Sequence, residues 1–243
     1  MHIDVVLLPR DLKVEQLVGR AAVVFDVLRA STSMTAALAA GVSEIRIFPD
    51  IAAAASARGA FKGKGLLCGE EKALRPPGFD LGNSPGAFNA DEHAGRTMFI
   101  STTNGTRAIL ACAAAGAVFV GALVNAAAVA KAAAETALDV VLVCAGTNGQ
   151  IAMEDLLGCG AVIDALAKDY PLILNSDTAS IAARLFSASK RDLPAILRES
   201  RGGKNVVAAG LAPDIDFCAK LDSFNIVGQV FGQPPVVRLL ARS

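Results

Sequence analysis

Acidic, basic and hydroxyl side chains follow three apolar runs of the chain, and an alanine-rich run comes next each time. The segments are VVFDVLRASTSMTAAL (23–38), MFISTTNGTRAIL (98–110) and VLVCAGTNGQIAMEDLLGCG (141–160). Loops that lead from a strand into a helix lie at one edge of an open α/β sheet, where helix N-termini offer free N–H groups. We therefore expect these loops to converge at one edge and to act on a small anion.

The first segment places a carboxylate and a guanidinium three residues apart. Asp26 could ligate a hard divalent cation or attack phosphorus, and Arg29 could hold phosphate oxygens with two hydrogen bonds. Ser31 and Thr32 follow where a helix should begin. The alternative is that Asp26 and Arg29 pair with each other and that one hydroxyl only caps the helix.

The second segment is a run of hydroxyls and backbone donors at the start of a helix. Thr103, Asn104 and Thr106 surround Gly105, which permits close approach of an anion. The spacing GxxxxGK[ST] of a P-loop is absent, which argues against a nucleoside triphosphate. The alternative is a capped helix start with a β-turn.

The third segment adds Gly146 and Thr147 and then two adjacent acids, Glu154 and Asp155. Adjacent residues of a helix lie about 100° apart, so only one of the two acids should face the site, and we favour Glu154. Cys144 ends an apolar run without a CxxxxxR phosphate loop, which indicates core packing.

A further acid, Glu70, follows a short strand and Gly69. It could be a metal ligand or a general acid or base, or equally a solvated loop acid. His2 and His93 are the only histidines, too few for a zinc or histidine mechanism. Magnesium held by oxygen ligands is the natural alternative.

The composition is that of a soluble globular protein. The 243 residues are 53% apolar and 19% charged, enough for a large core without disulfide staples. Twenty-three basic and twenty-three acidic residues cancel, which argues against nucleic-acid or anionic-membrane partners. The five cysteines form no CxxC pair and are interpreted as buried reduced thiols.

Nothing in the chain predicts a membrane anchor. The first twelve residues, MHIDVVLLPRDL, lack the pattern of a signal peptide, and no apolar run reaches the roughly 18 residues of a bilayer span. We therefore expect a cytoplasmic enzyme, with a homo-oligomer compatible with its alanine-rich helices.

Short Val/Ile/Leu runs alternate with alanine-rich segments, which predicts a three-layer α/β/α fold with a mostly parallel sheet. We expect a single domain over 1–243, with a helical sub-region at 170–225, and an ordered loop or lid at 76–95. Strands are predicted at 3–8, 22–25, 45–48, 97–101, 117–120, 140–144, 226–230 and 236–240. Helices are predicted at 31–40, 50–60, 105–115, 125–137, 152–168, 176–187, 191–199 and 213–221.

Six blocks in order carry a family resemblance. They are DVLRASTS, CGEE…PPGFDLGNSPGAF, TTNGTRAI, GALVNAAAVA, VCAGTNGQIAMEDLLGCG and APDIDFCAKLD, from residue 23 to about residue 222. This set resembles the 2-phosphosulfolactate phosphatase family. The resemblance implies a family-specific α/β architecture and a Mg²⁺-dependent phosphatase that converts a sulfonated three-carbon phosphate ester into sulfolactate, a step toward coenzyme M.

The resemblance places site residues by position, and their roles are our inference. The catalytic set is Asp26, Arg29 and Glu154, and the metal set is Asp26, Glu70, Glu154 and Asp155. The substrate-binding set is Ser31, Thr32, Asn83, Ser84, Thr103, Asn104, Gly105, Thr106, Gly146 and Thr147. Gly82, Asp214 and Asp216 also lie in matching blocks, and the loop 79–85 is expected to close over the acidic end of the substrate.

Two questions stay open at the level of sequence. The attacking group is a metal-activated water or, as the second choice, Asp26 itself, although the DxD signature of aspartyl-phosphate enzymes is missing. The alternative function is a non-catalytic small-anion-binding protein or sensor on the same fold. A dehydrogenase is disfavoured because no GxGxxG follows the first strands.

Overall fold

The apolar runs form ten strands of one mixed sheet in the computed structural model, which describes residues 1–241. The strands are β1 (His2–Val6), β2 (Arg20–Phe25), β3 (Glu44–Ile47), β4 (Gly65–Gly69), β5 (Thr97–Ser101), β6 (Ala117–Gly121), β7 (Asp139–Cys144), β8 (Ile173–Leu174), β9 (Gly228–Phe231) and β10 (Val236–Leu239).

The alanine-rich runs and the region after β8 form the helices. They are α1 (Ala30–Ala39), α2 (Ile51–Ala60), α3 (Ala90–His93), α4 (Gly105–Ala111), α5 (Ala126–Glu135), α6 (Met153–Leu166), α7 (Asp177–Ser189), α8 (Leu193–Glu199), α9 (Arg201–Ala208) and α10 (Pro213–Cys218). All eight predicted strands and all eight predicted helices are confirmed. The sequence did not predict β8, α3 or α9, and it indicated β4 only as the short run before Glu70.

The strand order is β4-β5-β3-β10-β9-β6-β2-β7-β1-β8. Neighbours within β4-β5-β3 and within β6-β2-β7-β1-β8 are parallel, whereas the hairpin β9-β10 pairs antiparallel with β6 and with β3. Three antiparallel pairings in a row make the two parallel groups run in opposite directions. The expectation that all strand-to-helix loops share one edge therefore holds only within each group.

Helices cover both faces of the sheet, as the predicted three-layer fold requires. Along β2, Val23 and Phe25 belong to a core with residues of α5, α6 and α7, whereas Ala22 and Val24 belong to a core with residues of α1 and α4. This alternation follows from the two-residue period of a strand. Both faces of β2 are buried, so its carboxyl end is a rigid support for Asp26.

Three further features bear on the predictions. Four helices, α7 to α10, occupy residues 177–218 of the expected helical sub-region. The five cysteines are free and buried. No helix between residues 1 and 241 has the length and apolar character needed to cross a bilayer.

The segment 76–95 is an ordered loop. Phe79 packs in a small core with Phe99, and Asp80 accepts a hydrogen bond from the backbone N–H of Leu67 over 2.7 Å. Asn83 and His93 are also buried. These contacts anchor the loop along β4 as a wall of the cavity described next.

Candidate active site

The loops that follow β2, β4, β5 and β7 surround a cavity of about 920 Å³. Residues of α9, among them Gly202 and Asn205, form another part of the wall. Seven predicted site residues line the cavity: Asp26, Arg29, Glu70, Asn83, Thr103, Asn104 and Thr147. Loops from both strand groups thus meet at one place, although the groups run in opposite directions.

Asp26 follows β2 and is 8% exposed. One of its oxygens accepts the backbone N–H of Ala30 over 3.1 Å, and a Cβ at Gly105 would lie 2.7 Å from the other oxygen. Burial raises the pKa of Asp26 to about 7, with the charges of Glu70 and Glu154 adding to the shift against the backbone N–H groups of Ala30 and Gly105. Asp26 can therefore gain or lose a proton near neutral pH.

Arg29 pairs with Asp214 rather than with Asp26. Its Nη1 donates to Asp214 Oδ2 over 2.6 Å and to Ser84 Oγ over 3.1 Å, while Nη2 donates to the carbonyl oxygen of Ala73 over 2.5 Å. The side chain of Arg29 is 2% exposed. A guanidinium has five N–H donors, so this fixed group keeps donors for a ligand in the cavity.

Glu70 connects the loops that follow β4 and β5. Its Oε1 accepts the backbone N–H of Thr103 over 2.7 Å, and its Oε2 accepts that of Ala73 over 2.9 Å. Glu70 is half-buried and lines the cavity, so of the two alternatives the structure favours a residue of the site over a freely solvated loop acid. Its charge contributes to the raised pKa of Asp26.

Of the two adjacent acids at the start of α6, Asp155 connects two loops. Its oxygens accept the backbone N–H groups of Val27 over 2.8 Å and of Gly146 over 2.9 Å. Burial, followed by the nearby Cys144 and Glu154, raises the pKa of Asp155 above its ordinary value. Asp155 does not line the cavity.

Glu154 is 1% exposed and lies behind Thr147 and Gly202, two residues of the cavity wall. Its Oε1 accepts the hydroxyl of Thr147 over 3.2 Å. Within residues 1–241, its Oε2 is a buried atom without a hydrogen-bond partner. A buried carboxylate oxygen beside a cavity, without a partner in the protein, is a position that a water, an ion or a ligand group can complete.

Several predicted substrate-binding groups lie beneath the cavity instead of in it. Ser31 Oγ accepts the backbone N–H of Asp26 over 3.1 Å, and the hydroxyl of Thr32 donates to the carbonyl oxygen of Val27 over 2.8 Å. The hydroxyl of Thr106 donates to the carbonyl oxygen of Thr102 over 2.9 Å. These hydroxyls fix the turns that present Asp26 and Thr103.

Three other predicted residues also stay outside the lining. Ser84 contacts Arg29 and Asp214, as described above. Gly105 makes room for Asp26, and Gly146 has a φ of +73° where a side chain would collide with Leu8. They shape the site rather than line it.

Sequence reasoning missed Lys72 and Arg107, two cations of the lining, and the wall formed by α9. Lys72 follows two acids in a loop, and Arg107 stands in a hydroxyl-rich block, so neither gave a distinct signal. The start of α9, Ser200-Arg-Gly-Gly, is a capped helix whose two glycines hide its helical pattern.

Mg²⁺ can be tested against these donors. Among residues 1–241, no three His, Cys, Asp or Glu side chains are grouped tightly enough to enclose a metal. Mg²⁺ commonly uses only one or two carboxylates together with waters and substrate phosphate. Asp26, which lines the cavity, and Glu154, which keeps a buried oxygen without a partner within residues 1–241, are the two carboxylates that fit this requirement best. Glu70 and Asp155 each hold backbone N–H groups of two loops.

Comparison with known proteins identifies the family. The model of the 2-phosphosulpholactate phosphatase family matches residues 6–232. Proteins named "Probable 2-phosphosulfolactate phosphatase" are similar to this chain in Symbiobacterium thermophilum, with 38% identity over 93% of this chain and 97% of the relative, and in Carboxydothermus hydrogenoformans, with 37% identity over 93% and 92%. A protein of that name in Thermotoga maritima is 34% identical over 86% of this chain and 88% of its own length. The chain therefore belongs to the 2-phosphosulfolactate phosphatase family of phosphoric monoester hydrolases.

Proposed function

We propose that this protein hydrolyses 2-phosphosulfolactate to sulfolactate and phosphate in a Mg²⁺-dependent reaction. One observation carries the proposal: the cavity combines a buried Asp26 whose pKa is about 7 with an Arg29 held in place by Asp214, Ser84 and Ala73. The names of the similar proteins supply the substrate.

Arg29 is suited to the phosphoryl group. Its pairing with Asp214 fixes the plane of the guanidinium before substrate arrives. Binding therefore costs little side-chain entropy for orienting this group. Its remaining N–H donors would bind the phosphoryl oxygens as negative charge develops on them. Thr103 and Asn104, at the start of α4, add polar groups to the same wall.

Asp26 is suited to the attacking water. In its ionised form, one oxygen of Asp26 would accept a hydrogen bond from that water and take its proton as the new oxygen–phosphorus bond forms, which leaves the other oxygen for an ion. The ester bond then breaks with its electron pair on the leaving oxygen, which takes a proton from solvent water to become the hydroxyl of sulfolactate, and Asp26 returns its proton to solvent. Gly105 allows the backbone of α4 to approach Asp26 on the opposite side.

The charge of the cavity supports the metal requirement. The lining holds three basic side chains, Arg29, Lys72 and Arg107, against four acidic ones, Asp26, Asp50, Glu70 and Glu71. A substrate with phosphate, sulfonate and carboxylate groups would meet a lining without excess positive charge. Mg²⁺ held by Asp26 and Glu154 would supply that charge and polarise the phosphoryl group when bound.

The substrate assignment is tested by phosphate release from three esters: racemic 2-phosphosulfolactate, 2-phospholactate and an aryl phosphate. Each is measured with Mg²⁺ and then with excess chelator. We expect turnover that chelator abolishes and a preference for the sulfonated ester. Turnover of the other esters alone would keep the phosphatase chemistry and change the substrate, whereas tight binding without any turnover would favour the anion-binding alternative.

Asp26→Asn is the first variant to measure. We expect kcat to fall by about 10²–10⁴-fold, the usual contribution of a positioned acid or base. Asp169→Asn, at an exposed residue beyond the end of α6, is the matched control and should keep native activity. Near-native turnover of Asp26→Asn would remove Asp26 from the mechanism, and a trapped phosphoenzyme in the native protein would make it the nucleophile.

A further inference from the structure

A tight turn, formed by residues 71–74, lies at the mouth of the cavity. Glu71 and Leu74 exchange two backbone hydrogen bonds, of 3.0 Å and 3.1 Å, so the loop between them contains only Lys72 and Ala73. Both residues have positive φ, 54° for Lys72 and 68° for Ala73. Two consecutive positive φ values are the mark of a type I′ turn, in which Asn-Gly and similar pairs are strongly preferred.

A second turn of the same type borders the cavity, and its residue types can be compared with those of the first. Thr147 and Gln150 exchange backbone hydrogen bonds of 2.9 Å and 3.0 Å around Asn148 and Gly149, with φ values of 52° and 71°. That turn carries the preferred Asn-Gly pair. The turn at Lys72 instead places two residues with Cβ atoms in a left-handed conformation, which is unfavourable for both. An unfavourable residue in a strained position indicates a role for its side chain.

The turn is tied to groups that we place at the phosphoryl end of the site. Ala73 donates its backbone N–H to Glu70 Oε2 over 2.9 Å and accepts from Arg29 Nη2 over 2.5 Å on its carbonyl oxygen. The backbone of Lys72 is therefore held at a fixed position relative to Arg29, and its exposed side chain begins from that position. Lys72 is one of the lining residues, and within residues 1–241 its ammonium has no ion-pair or hydrogen-bond partner.

The unpaired ammonium differs from the buried guanidinium of Arg29. The charge of Arg29 is balanced by Asp214, whereas Lys72 and Arg107 have no such counterion in the described part of the chain, and of these two only Lys72 stands in the strained turn. An ammonium is a point charge on a flexible stem, suited to a single anionic oxygen group rather than to a planar pair. Resting on the proposed function, we propose that Lys72 determines specificity: its ammonium binds the acidic group, sulfonate or carboxylate, that the substrate carries beyond its phosphate.

Lys72→Asn separates this role from a structural one. Asn removes the charge but adopts positive φ more readily than Lys, so the turn should form at least as well. We expect kcat/KM for 2-phosphosulfolactate to fall by about tenfold or more, the scale of one charge-assisted hydrogen bond, mainly through KM. Hydrolysis of an aryl phosphate, which has no second acidic group, should be unchanged, and the melting temperature should equal or exceed that of the native protein.

Two further variants control for charge. Lys72→Arg should recover much of the lost kcat/KM because it restores a cation. Lys62→Asn, at an exposed lysine outside the cavity, should behave as the native protein. A loss for 2-phosphosulfolactate alone assigns Lys72 to the sulfonate, and an equal loss for 2-phospholactate assigns it to the carboxylate. An equal effect on all three esters, or no effect on any, would overturn the proposal.

Binding of sulfolactate, measured by calorimetry, keeps this test separate from the proposed reaction. Sulfolactate lacks the phosphate, so its affinity reports on the acidic groups alone. Weaker binding to Lys72→Asn would support the role of Lys72 even if the native protein released no phosphate from any ester. Equal affinity in the two proteins would contradict that role even if the native protein proved to be an active phosphatase.

Discussion

Burial of Asp26 among other acids links the stability of the protein to pH. Its pKa is about 7 in the folded chain, against 3.8 as the ordinary value, with burial as the main cause. Between these two values the folded state keeps a proton that the unfolded state releases. The free energy of unfolding therefore falls as pH rises through this window, by up to about 4 kcal/mol from this residue alone.

Asp26→Asn should consequently be more stable than the native protein at alkaline pH, although it loses most of its activity. The difference in free energy of unfolding, measured by urea titration without metal, should be larger at about pH 8 than at about pH 5. Asp169→Asn provides the reference, since it makes the same change at an exposed residue outside the cavity. A difference between Asp26→Asn and native protein that stayed constant over this range would contradict the raised pKa.

Catalytic activity should change with pH in the direction opposite to stability: it should fall as the pH is lowered. The ionised form of Asp26 is the one that accepts the proton of water and that would hold a metal, and protons compete with metal for such a ligand. We expect kcat/KM to decline as pH falls below the pKa of Asp26.

Among the secondary-structure elements, α9 approaches its neighbours closely enough to require glycine. A Cβ at Gly202 would overlap Oε1 of Glu154, and one at Gly203 would overlap the carbonyl oxygen of Leu197 in α8. The helix nevertheless forms because Ser200 Oγ caps it by accepting the N–H of Gly203 over 3.0 Å. Packing thus outweighs the poor helix propensity of its two glycines.

Gly202→Ala should move the carboxylate of Glu154 and lower activity. The overlap would cost about 1–3 kcal/mol of stability, as overpacking commonly does, and would disturb the Thr147 hydrogen bond. Gly59→Ala is a matched control, because Gly59 lies in α2 with no atom within 4 Å of the new Cβ, and it should stabilise the protein by about 0.5–1 kcal/mol. Wild-type turnover in Gly202→Ala would show that Glu154 is not needed at its present position.

These packing relations explain which elements the sequence could predict. The strands β2, β6 and β7 are continuous apolar runs because both of their faces are buried, and such runs are recognisable without any contact information. The helix α9 was not predicted because its two glycines are required by close packing against Glu154 and Leu197, and no local sequence pattern reveals such contacts. For the same reason the partner of Arg29 was not predicted, since Asp214 lies 185 residues away in sequence.

At the scale of the whole molecule, the relative direction of the strands could not be predicted from local sequence patterns. Each loop was correctly expected after a strand, but the antiparallel hairpin β9-β10 reverses one parallel group relative to the other. The site consequently draws Asp26 and Thr147 from one group, and Glu70 and Thr103 from the other. Asp155 joins the loops after β2 and β7, and Glu70 joins the loops after β4 and β5. The hydrogen bond from Arg29 to the carbonyl oxygen of Ala73 connects the two groups.

The charge of the whole chain also bears on the metal. The 23 basic and 23 acidic residues cancel, so no general positive field would draw a multiply charged anion to a cavity whose lining has more acids than bases. If Mg²⁺ supplies the missing charge, it binds the folded state and must stabilise it in proportion to the logarithm of its concentration.

We therefore expect the melting temperature of the native protein to rise with millimolar Mg²⁺, at ionic strength matched with NaCl, and to fall back on addition of chelator. The rise should be lost in Asp26→Asn and in Glu154→Gln, because each variant removes one of the two carboxylates assigned to the ion. Asp169→Asn should respond as the native protein does, which separates a bound ion from general screening of surface charge. An equal rise in all four proteins would show that Mg²⁺ binds elsewhere, and no rise in the native protein would require the cavity to meet its anionic substrate with Arg29, Lys72 and Arg107 alone.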